Sequence, residues 1–393
     1  MKILLANKFY YPRGGDCVYS LNLENALKRF GHEVAPFAMQ HPNNQFSDWE
    51  SFFPSNIEFR KPSISGYVKG LERIFLASEV RKKFRLLIDE FKPDIIHLNN
   101  IHSQLSPIIA QISRQMEIPV YWTMHDYRLL YPGATLRNRK LCKIYFPKLN
   151  TTSIRYHYKG ANIINNTLVY LESLYWFRSD LASYTNIFLC PSQFMCNAMI
   201  EGGFPPEKIK LLRNFTLPPS LPDHPKTNDS YCYVGRLTPE KGILTLLEAA
   251  AQLPYPLQVI GGGPLETDLR RRYANYSHIN FLGQIPSEQV QRILYNARFS
   301  VVPSEWYENA PLSIIESLSM GTPVLGTDIG GIPELIDASN GRIIPPHNIA
   351  NLSEGIQELW NHPLSPNAQS YRSMYSFERH INSLLDLYTE GIA

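Results

Sequence analysis

The sequence lacks the features of membrane-spanning and disulfide-bonded proteins. Its 393 residues contain no run of about 18 apolar residues, so we expect no membrane-spanning helix. The five cysteines are odd in number and scattered without a CxxC pair, which predicts reduced thiols in a cytoplasmic protein. No close His/Cys cluster indicates a zinc site, so we expect no metal of that kind.

The sequence also has little net charge and no evident targeting segment. With 38 Lys and Arg against 35 Asp and Glu, the net charge of +3 gives no electrostatic reason to expect a nucleic-acid partner. Only four apolar residues separate Lys2 from Asn7, which is too short a stretch for a secretory signal. An apolar content of 44% is typical of a folded globular protein.

What the sequence does have is two alternating series of strands and helices. Short apolar stretches at 2–6, 92–100, 118–126 and 186–192 are typical of buried strands, and the later ones each follow a helical stretch. This order predicts a parallel sheet with helices on both faces. A second series of the same kind begins at residue 230.

The length and these two series predict two domains, because a single core rarely serves so long a chain. We expect an N-terminal domain over 1–213, a Pro-rich linker over 214–229 and a second domain over 230–370. Residues 371–393 are predicted to form a C-terminal helix that packs back toward the first domain.

One segment, 133–185, has few strand signals and many aromatic and basic residues. It is either a helical insertion whose aromatic residues form a core, or a surface for a polar-headed lipid.

Glycines stand between a predicted strand and a predicted helix at three places: Gly14-Gly15, Gly261 to Gly263, and Gly330-Gly331. In doubly wound sheets, ligands bind at the carboxyl ends of the strands. Glycines there let backbone N–H groups approach an anion, and a helix start favours negative charge. A plain tight turn explains each of these glycines equally well.

Charged residues follow other strands. Arg236 stands at a strand end and Lys241 directly precedes a helix, which suits a diphosphate, although a solvated charged turn is the ordinary alternative. His125 also follows a strand, where a core histidine is the alternative. Anion-binding strand ends in both domains imply a nucleotide diphosphate held in an interdomain cleft.

The stretch SEWYENAPLSIIESL, residues 304–318, contains two carboxylates. Pro311 is tolerated only in a first helical turn, so a helix is predicted to begin near Ala310. Glu308 then lies on the entering loop and Glu316 lies inside the helix among apolar residues. A carboxylate in such a place is costly unless it has a partner, whereas most glutamates are simply solvated.

These motifs together resemble those of a family-4 retaining glycosyltransferase of the GT-B fold. The matching stretches are PRGG, HD, GRLTPEKG, GGGPLE, FLG and PSEWYENAPLSIIESLSMGTPVLGTDIGGIPELI. Glu308 and Glu316 have the Glu-x7-Glu spacing of that family. The resemblance covers nearly all of the chain and is strongest from 230 to 345. It implies an α/β protein with two Rossmann-like doubly wound domains facing an interdomain cleft, the first binding the acceptor and the second the nucleotide-sugar donor.

The resemblance also implies roles for individual residues. Arg236 and Lys241 would neutralise the leaving diphosphate, Glu308 would lie beside the transferred sugar, and His125 would contact the sugar near its reacting carbon. Glu316 would accept hydrogen bonds from the ribose hydroxyls. The other residues expected to bind the donor are Gly14, Gly15, Gly262, Gly263, Gln284, Ile285, Asn309, Ala310, Pro311 and Leu312. Gly14 and Gly15 would face either the diphosphate or the acceptor, and Gln284 and Ile285 would edge the base.

The implied activity is transfer of a sugar from a UDP-sugar, or in second place GDP-mannose, to a glycan or lipid-linked acceptor. We expect a hexosyltransferase of bacterial cell-surface polysaccharide synthesis (O-antigen, capsule or exopolysaccharide) with peripheral contact to the inner face of the membrane. No Asp-x-Asp motif occurs, so we expect no metal and no cofactor. The alternatives are a GT-B epimerase, a glycogen-type synthase or phosphorylase, and a non-catalytic sugar-nucleotide binding protein.

Overall fold

The computed structural model describes residues 1–57, 64–130, 171–172, 175–176, 181–219 and 221–390. Most of the aromatic and basic segment predicted at 133–185 lies outside the described residues, so both interpretations of it stay predictions.

The chain divides into two compact units. Unit 1 comprises Met1–Leu212 and Ile381–Ala393, and unit 2 comprises Arg213–His380. The Pro-rich stretch 214–229 therefore belongs to unit 2. The second boundary falls inside the last helix, Phe377–Glu390, rather than before it.

In the described residues of unit 1, six strands form one parallel sheet in the order β2-β1-β3-β4-β5-β6. Their bounds are Lys2–Ala6 (β1), Glu33–Phe37 (β2), Ile95–Leu98 (β3), Val120–Thr123 (β4), Ile187–Cys190 (β5) and Ile209–Leu211 (β6). Strand β6 was not predicted, because only Ile209 of its three residues is buried and no apolar run marks it.

The helices of this unit follow the predicted alternation. Their bounds are Gly15–Arg29 (α1), Ile64–Phe75 (α2), Ser78–Phe91 (α3), Ile108–Gln115 (α4) and Gln193–Glu201 (α5). Helix α1 ends just before Gly31, whose φ of 81° is the left-handed conformation that glycine adopts without strain.

The described part of unit 2 likewise holds six parallel strands, in the order β12-β11-β10-β7-β8-β9. Their bounds are Tyr231–Val234 (β7), Leu257–Ile260 (β8), Ile279–Gly283 (β9), Ser300–Val302 (β10), Val324–Thr327 (β11) and Gly341–Ile344 (β12). The strand order reverses between β7 and β10, as in a dinucleotide-binding doubly wound sheet.

The helices of unit 2 are Ile243–Ala250 (α6), Glu266–Arg272 (α7), Ser287–Asn296 (α8), Leu312–Ser319 (α9), Ile349–Asn361 (α10) and Ala368–Met374 (α11), and the helix that crosses into unit 1 is Phe377–Glu390 (α12). Two expectations need correction here. The helix expected after Gly330-Gly331 is only a 3-10 turn, Ile332–Glu334, and α9 begins at Leu312 with Pro311 as its N-cap rather than near Ala310.

The predicted fold class is confirmed: both units are doubly wound α/β structures with parallel sheets. In such sheets the ligand site lies at the carboxyl ends of the strands where the winding direction reverses. That place lies between β1 and β3 in unit 1 and between β7 and β10 in unit 2. Both places carry residues that the sequence singled out.

Candidate functional site

The site of unit 2 centres on the carboxylate of Glu308, on the loop after β10. Its Oε1 accepts hydrogen bonds from Lys241 Nζ at 2.5 Å, Ser304 Oγ at 2.7 Å and Trp306 Nε1 at 2.8 Å. The Lys241 ammonium also lies 5.0 Å from the centroid of the Trp306 ring, within the range of a cation–π contact. Lys241 and Glu308, which lie far apart in the sequence, therefore form one charged pair at the end of the sheet.

This pair sets the protonation of Glu308. Glu308 is buried, with 7% relative exposure, and burial alone would raise the pKa of its carboxyl group. The Lys241 charge and the hydrogen bonds from Lys241, Ser304 and Trp306 outweigh burial, so the pKa lies below its usual value. Glu308 is consequently an ionised, oriented carboxylate at neutral pH.

Two glycines allow the backbone to bring this pair together. Gly242 has φ 69°, and a Cβ there would lie 1.7 Å from the carbonyl oxygen of Pro303. Gly330 has φ 65°, and a Cβ there would lie 2.1 Å from the carbonyl oxygen of Glu308, which also accepts a hydrogen bond from Gly331 N at 2.8 Å. The loop that carries Glu308 is thus in direct backbone contact with two neighbouring loops.

Arg236 lies on the loop after β7 with an exposed side chain, and its Nη2 is 3.8 Å from Glu240 Oε1. Its carbonyl oxygen accepts a hydrogen bond from the Tyr233 hydroxyl at 2.8 Å, which fixes the backbone of the loop. Arg236 is therefore a cation at the carboxyl end of β7 whose side chain is half exposed to solvent.

The glycines after β8 have a packing explanation. A Cβ on Gly261 would lie 2.0 Å from the carbonyl oxygen of Gly235, and one on Gly263 would lie 2.5 Å from that of Leu237. Gly262 is less constrained, since the nearest atom to a Cβ there is Glu266 Oε2 at 3.3 Å. Close approach to the loop that carries Arg236 thus requires glycine at 261 and 263, which is a more specific reason than the tight turn considered from the sequence.

Glu316 lies in the middle of α9 and is half-buried. Within the described part of the chain, no side-chain hydrogen bond or ion pair of its carboxylate is found, and burial raises its pKa to about 7. A carboxylate without a partner in such a place is costly to the fold. This is the situation that the sequence predicted for a residue whose partner is a ligand.

The predicted donor-binding residues on the loops after β9 and before α9 lie at the same end of the sheet of unit 2. Asn309 and Ala310 are buried on the loop before α9, where no side chain of the described residues caps the helix start at Pro311. The N–H groups that precede and open this helix can meet an anion, but Pro311 itself has no N–H to offer. Gln284 is exposed and Ile285 half-buried directly after β9.

In unit 1, Gly14 is the N-cap of α1 and Gly15 its first residue. Gly14 has φ −165°, an extended conformation open to any residue. The Asp16 carboxylate lies beside this helix start, where Asn100 Nδ2 donates to its Oδ2 at 2.8 Å. Burial acts to raise the pKa of Asp16, but the Lys8 charge and the Asn100 hydrogen bond help to hold it below its usual value. A carboxylate thus already lies where the sequence suggested an anion.

His125 follows β4 in unit 1, and its Nε2 lies 2.8 Å from Asn99 Oδ1. Its ring meets the Tyr19 ring edge-on, with centroids 4.8 Å apart. Burial lowers the pKa of His125 to about 4, although Asp16 and Asp126 act in the opposite direction. The imidazole is therefore neutral at pH 7 and is held by hydrogen bonding rather than by charge.

Sequence reasoning missed several residues that complete these sites: Asp16, Asn99 and Asn100 in unit 1, and Ser304 and Trp306 in unit 2. Ser304 and Trp306 stand four and two positions before Glu308 in a stretch already singled out. Their donor groups were the available signal, since a buried carboxylate needs neighbouring N–H or O–H groups.

Neither a cluster suited to a metal ion nor a membrane-spanning helix occurs among the described residues. Among them, no group of three or more His, Cys, Asp or Glu side chains is placed to hold a metal ion. None of the helices in the described ranges has the length and apolarity needed to cross a membrane.

Solved structures with the same fold are glycosyltransferases and related synthases. HepE from Anabaena, in complex with UDP and glucose, aligns with a TM-score of 0.69 at 17% identity, over 99% of this chain and 100% of that chain. Sucrose-phosphate synthase from Thermosynechococcus elongatus aligns with a TM-score of 0.68 at 19% identity, over 99% of this chain and 98% of that one. At these identities the similarity establishes the fold alone, which is the GT-B fold of two Rossmann-like domains.

Family models match most of the chain. The model described as "Glycosyltransferase Family 4" matches residues 13–216, and the one described as "Glycosyl transferases group 1" matches residues 221–375. The chain therefore belongs to glycosyltransferase family 4. It is a glycosyltransferase, as the motifs predicted, and the non-catalytic alternative is set aside.

Relatives of known sequence agree with this assignment. An uncharacterized glycosyltransferase of Methanocaldococcus jannaschii is 23% identical over 398 residues, which cover 99% of this chain and 98% of the relative. An uncharacterized 42.6 kDa protein in the cps region of Klebsiella pneumoniae is 27% identical, with 91% of each chain covered. The O-antigen chain mannosyltransferase C of Escherichia coli is 28% identical over 170 residues, which cover 40% of this chain and 46% of the relative.

Proposed function

We propose that this glycosyltransferase moves a sugar, with retention of anomeric configuration, from a UDP-sugar to a glycan or lipid-linked acceptor in the synthesis of a cell-surface polysaccharide. The observation that carries the proposal is the arrangement in unit 2. It consists of an ionised Glu308 held by Lys241 and a nearby half-buried Glu316 that has no partner among the described residues.

The donor is proposed to bind at the carboxyl ends of β7 and β10. Glu316 accepts hydrogen bonds from the two ribose hydroxyls, which supply the donors that its carboxylate lacks in the described chain. The N–H groups at the start of α9 face the diphosphate, and Gln284 and Ile285 edge the base. UDP is preferred because solved structures of HepE contain UDP and UDP-glucose. GDP-mannose comes second, because one relative is named as a mannosyltransferase.

Bond cleavage in the donor leaves positive charge on the sugar and negative charge on the diphosphate, as in the oxocarbenium-like transition state of glycoside hydrolysis. Arg236 and Lys241 stabilise the departing diphosphate electrostatically. We therefore propose that the reaction proceeds without a metal or other cofactor, with these two cations in the place of a divalent ion. Transfer that persists unchanged in EDTA supports this, and loss of transfer that Mg²⁺ restores overturns it.

Glu308 is proposed to stabilise the sugar rather than to attack it. Three donors already engage its Oε1, and such an oxygen is a poor nucleophile. Without a covalent intermediate, retention follows if the acceptor hydroxyl attacks from the face that the diphosphate leaves and passes its proton to the departing diphosphate. The anomeric configuration of the product, read by NMR, decides between retention and inversion.

The acceptor is proposed to bind in unit 1 near His125 and Asp16. Because Asp16 already places a carboxylate at the start of α1, this place suits neutral acceptor hydroxyls better than a diphosphate. Polysaccharide synthesis is proposed because relatives carry names from the cps region and from O-antigen synthesis.

Peripheral contact with the membrane is proposed on the surface formed by α2 and α3. Val68, Leu71 and Leu76 are 63%, 40% and 61% exposed, and Lys82 and Arg85 are exposed on α3. Exposed apolar and cationic side chains on two helices in contact with each other suit an anionic lipid interface. Cosedimentation with anionic but not with neutral vesicles, lost in Leu71→Glu together with Leu76→Glu, supports this contact; equal recovery with both vesicle types overturns it.

The experiment that tests the proposed function is a donor screen. The protein is incubated with UDP-glucose, UDP-galactose, UDP-N-acetylglucosamine and GDP-mannose, and release of the nucleoside diphosphate is measured with thermal stabilisation by each donor. One donor should be turned over and should also raise the melting temperature. Absence of both effects for every donor overturns the proposal.

A matched pair of variants connects turnover to the site. Lys241→Met removes the ammonium but keeps the length of the side chain, and should lower turnover about 100-fold. Arg271→Met removes an 82%-exposed cation, paired with Asp268 on α7, and should leave turnover unchanged. Equal turnover in both variants would show that Lys241 has no part in the reaction.

A further inference from the structure

The sheet of unit 1 contains a line of buried polar side chains where a parallel sheet is normally apolar. His97 on β3 and Tyr121 on β4 are fully buried, and Thr123 on β4 is 3% exposed. Tyr388 of α12 is fully buried against the same strands. Buried polar groups are costly unless they bond one another, so this line needs an explanation.

These side chains form a continuous hydrogen-bonded chain. The Tyr388 hydroxyl bonds to His97 Nδ1, and His97 Nε2 lies 2.7 Å from Thr123 Oγ1. Thr123 in turn bonds to the hydroxyl of Tyr19 on α1. A single path thus runs from the C-terminal helix across two strands to the helix that begins at Gly15.

The path ends at the residues of the candidate site. The Tyr19 ring packs edge-on against His125, with centroids 4.8 Å apart. His125 stands two positions after Thr123, just past the end of β4, and Asn99, whose Oδ1 lies 2.8 Å from His125 Nε2, stands two positions after His97, just past the end of β3. The path therefore lies within the same two strands whose carboxyl ends lead to Asn99 and His125.

We propose that Tyr388 is a positioning residue for the transfer reaction, which acts through His97, Thr123 and Tyr19 to fix the orientation of His125. This inference rests on the proposed function and on the place that the resemblance implies for His125, in contact with the sugar near its reacting carbon. It assigns a catalytic purpose to α12, a helix that lies some 250 positions from His125 in the sequence.

The physical reason lies in the direction of the hydrogen bonds. A neutral imidazole donates from one ring nitrogen and accepts at the other, so the Tyr388 hydroxyl selects which nitrogen of His97 carries the hydrogen. If Tyr388 donates to Nδ1, then Nε2 donates to Thr123, and the Thr123 hydroxyl is left to donate to Tyr19. Loss of the Tyr388 hydroxyl removes that selection, and Tyr19 loses its fixed place against His125.

Two variants that each remove one buried hydroxyl test the proposal. Tyr388→Phe keeps the ring and removes the first group of the path. Tyr121→Phe removes a hydroxyl that donates to the Tyr388 carbonyl oxygen at 3.0 Å, so it loosens the same helix but leaves the path in place. Both should lower the melting temperature to a comparable extent, because each loses one buried hydrogen bond.

Three measurements are made on both variants: kcat, the donor KM, and the ¹⁵N signals of the His125 ring in histidine-labelled protein, assigned with His125→Gln. Tyr388→Phe should shift the His125 signals and lower kcat about 10-fold with little change in donor KM, because misplacement of a group at the reacting centre acts mainly on the rate. Tyr121→Phe should change neither the signals nor kcat.

Unchanged His125 signals in Tyr388→Phe overturn the proposal, as do equal changes in kcat for the two variants, which would indicate a merely structural helix. A signal shift without a fall in kcat also overturns it as a positioning role. Failure of the proposed function is seen separately, because His125→Gln would then turn over donor at the wild-type rate.

Discussion

Glu316→Gln should make the protein more stable and at the same time a poorer enzyme. Glu316 is half-buried in α9 without a partner among the described residues, and burial raises its pKa from an ordinary 4.5 to about 7. A carboxylic acid whose pKa is raised in the folded state costs stability when the pH rises. The unfolded chain ionises near pH 4.5, the folded chain only near pH 7, and above pH 7 the full cost is present.

The size of the effect follows from the same two values. One pH unit of difference between folded and unfolded pKa corresponds to about 1.4 kcal/mol, so the cost at pH 8 is about 3 kcal/mol. At pH 5 most of that cost is absent. Glutamine has nearly the same shape and no charge, and should therefore gain about 2–3 kcal/mol on wild type between pH 5 and pH 8. For a unit of this size that is roughly 5–10 °C in melting temperature.

Donor affinity should change in the opposite direction. A hydrogen bond to a charged acceptor contributes about 1.5–3 kcal/mol, so loss of the ribose contacts should raise the donor KM at least ~10-fold. The ribose does not react, and its contacts should be similar in the ground and transition states, so kcat should change little.

The assay is calorimetric melting of wild type and Glu316→Gln at pH 4, 5, 6, 7 and 8, with initial-rate kinetics at pH 8. Glu308→Gln is the matched control, because the pKa of Glu308 is lowered rather than raised. Its stabilising effect is present at neutral pH and is lost as the pH falls through the folded pKa, so this variant should lose more stability at pH 7 than at pH 4. A stability difference for Glu316→Gln that is the same at every pH, or a loss of stability at pH 8, would refute the reasoning.

Three further predictions concern the Glu308 loop and its cations. Glu308→Gln should lower kcat about 100-fold with a smaller effect on donor KM, since charge develops beside it; a change confined to KM in initial-rate kinetics would contradict this. Arg236→Ala should raise the activation barrier by about 3 kcal/mol, and so slow turnover, while the far-UV circular dichroism spectrum stays unchanged. Turnover at the wild-type rate would show that Arg236 has no part in the reaction. Gly330→Ala should lower both stability and kcat, because its Cβ would lie 2.1 Å from the Glu308 carbonyl oxygen. The control Gly31→Ala, where φ is 81° and no atom lies within 4 Å of the added Cβ, should lose about 1 kcal/mol of stability and keep its kcat. Equal kcat in the two variants would refute the effect of the Gly330 contact.

The sequence predicted the parts of the fold that have a local signal. Continuous apolar runs identified β1 and β5, because strands buried on both faces are usually apolar throughout. The short strands β6 and β12, at one edge of each sheet, have weak signals, since only Ile209 is buried in β6 and Arg342 interrupts β12. Edge strands are covered by fewer neighbours, so their sequences need less apolar surface.

The candidate site was predictable in composition but not in its contacts. The loop position of Glu308 followed from Pro311, because proline limits where the helix can begin. The bond between Lys241 and Glu308 joins residues 67 positions apart, and one sequence contains no information on such a pair. Likewise, the role of Gly330 became visible only from the atoms that a Cβ would meet.

The two close backbone contacts of the Glu308 loop have a consequence for engineering. Gly242 and Gly330 belong to two other loops, and each reaches a carbonyl oxygen near one end of the segment 303–308. Transplanting that segment alone into a relative would carry the carboxylate but not the surfaces that shape it. A working transplant must therefore move three separate pieces of chain together, and side-chain scanning of the segment alone would overlook two of them.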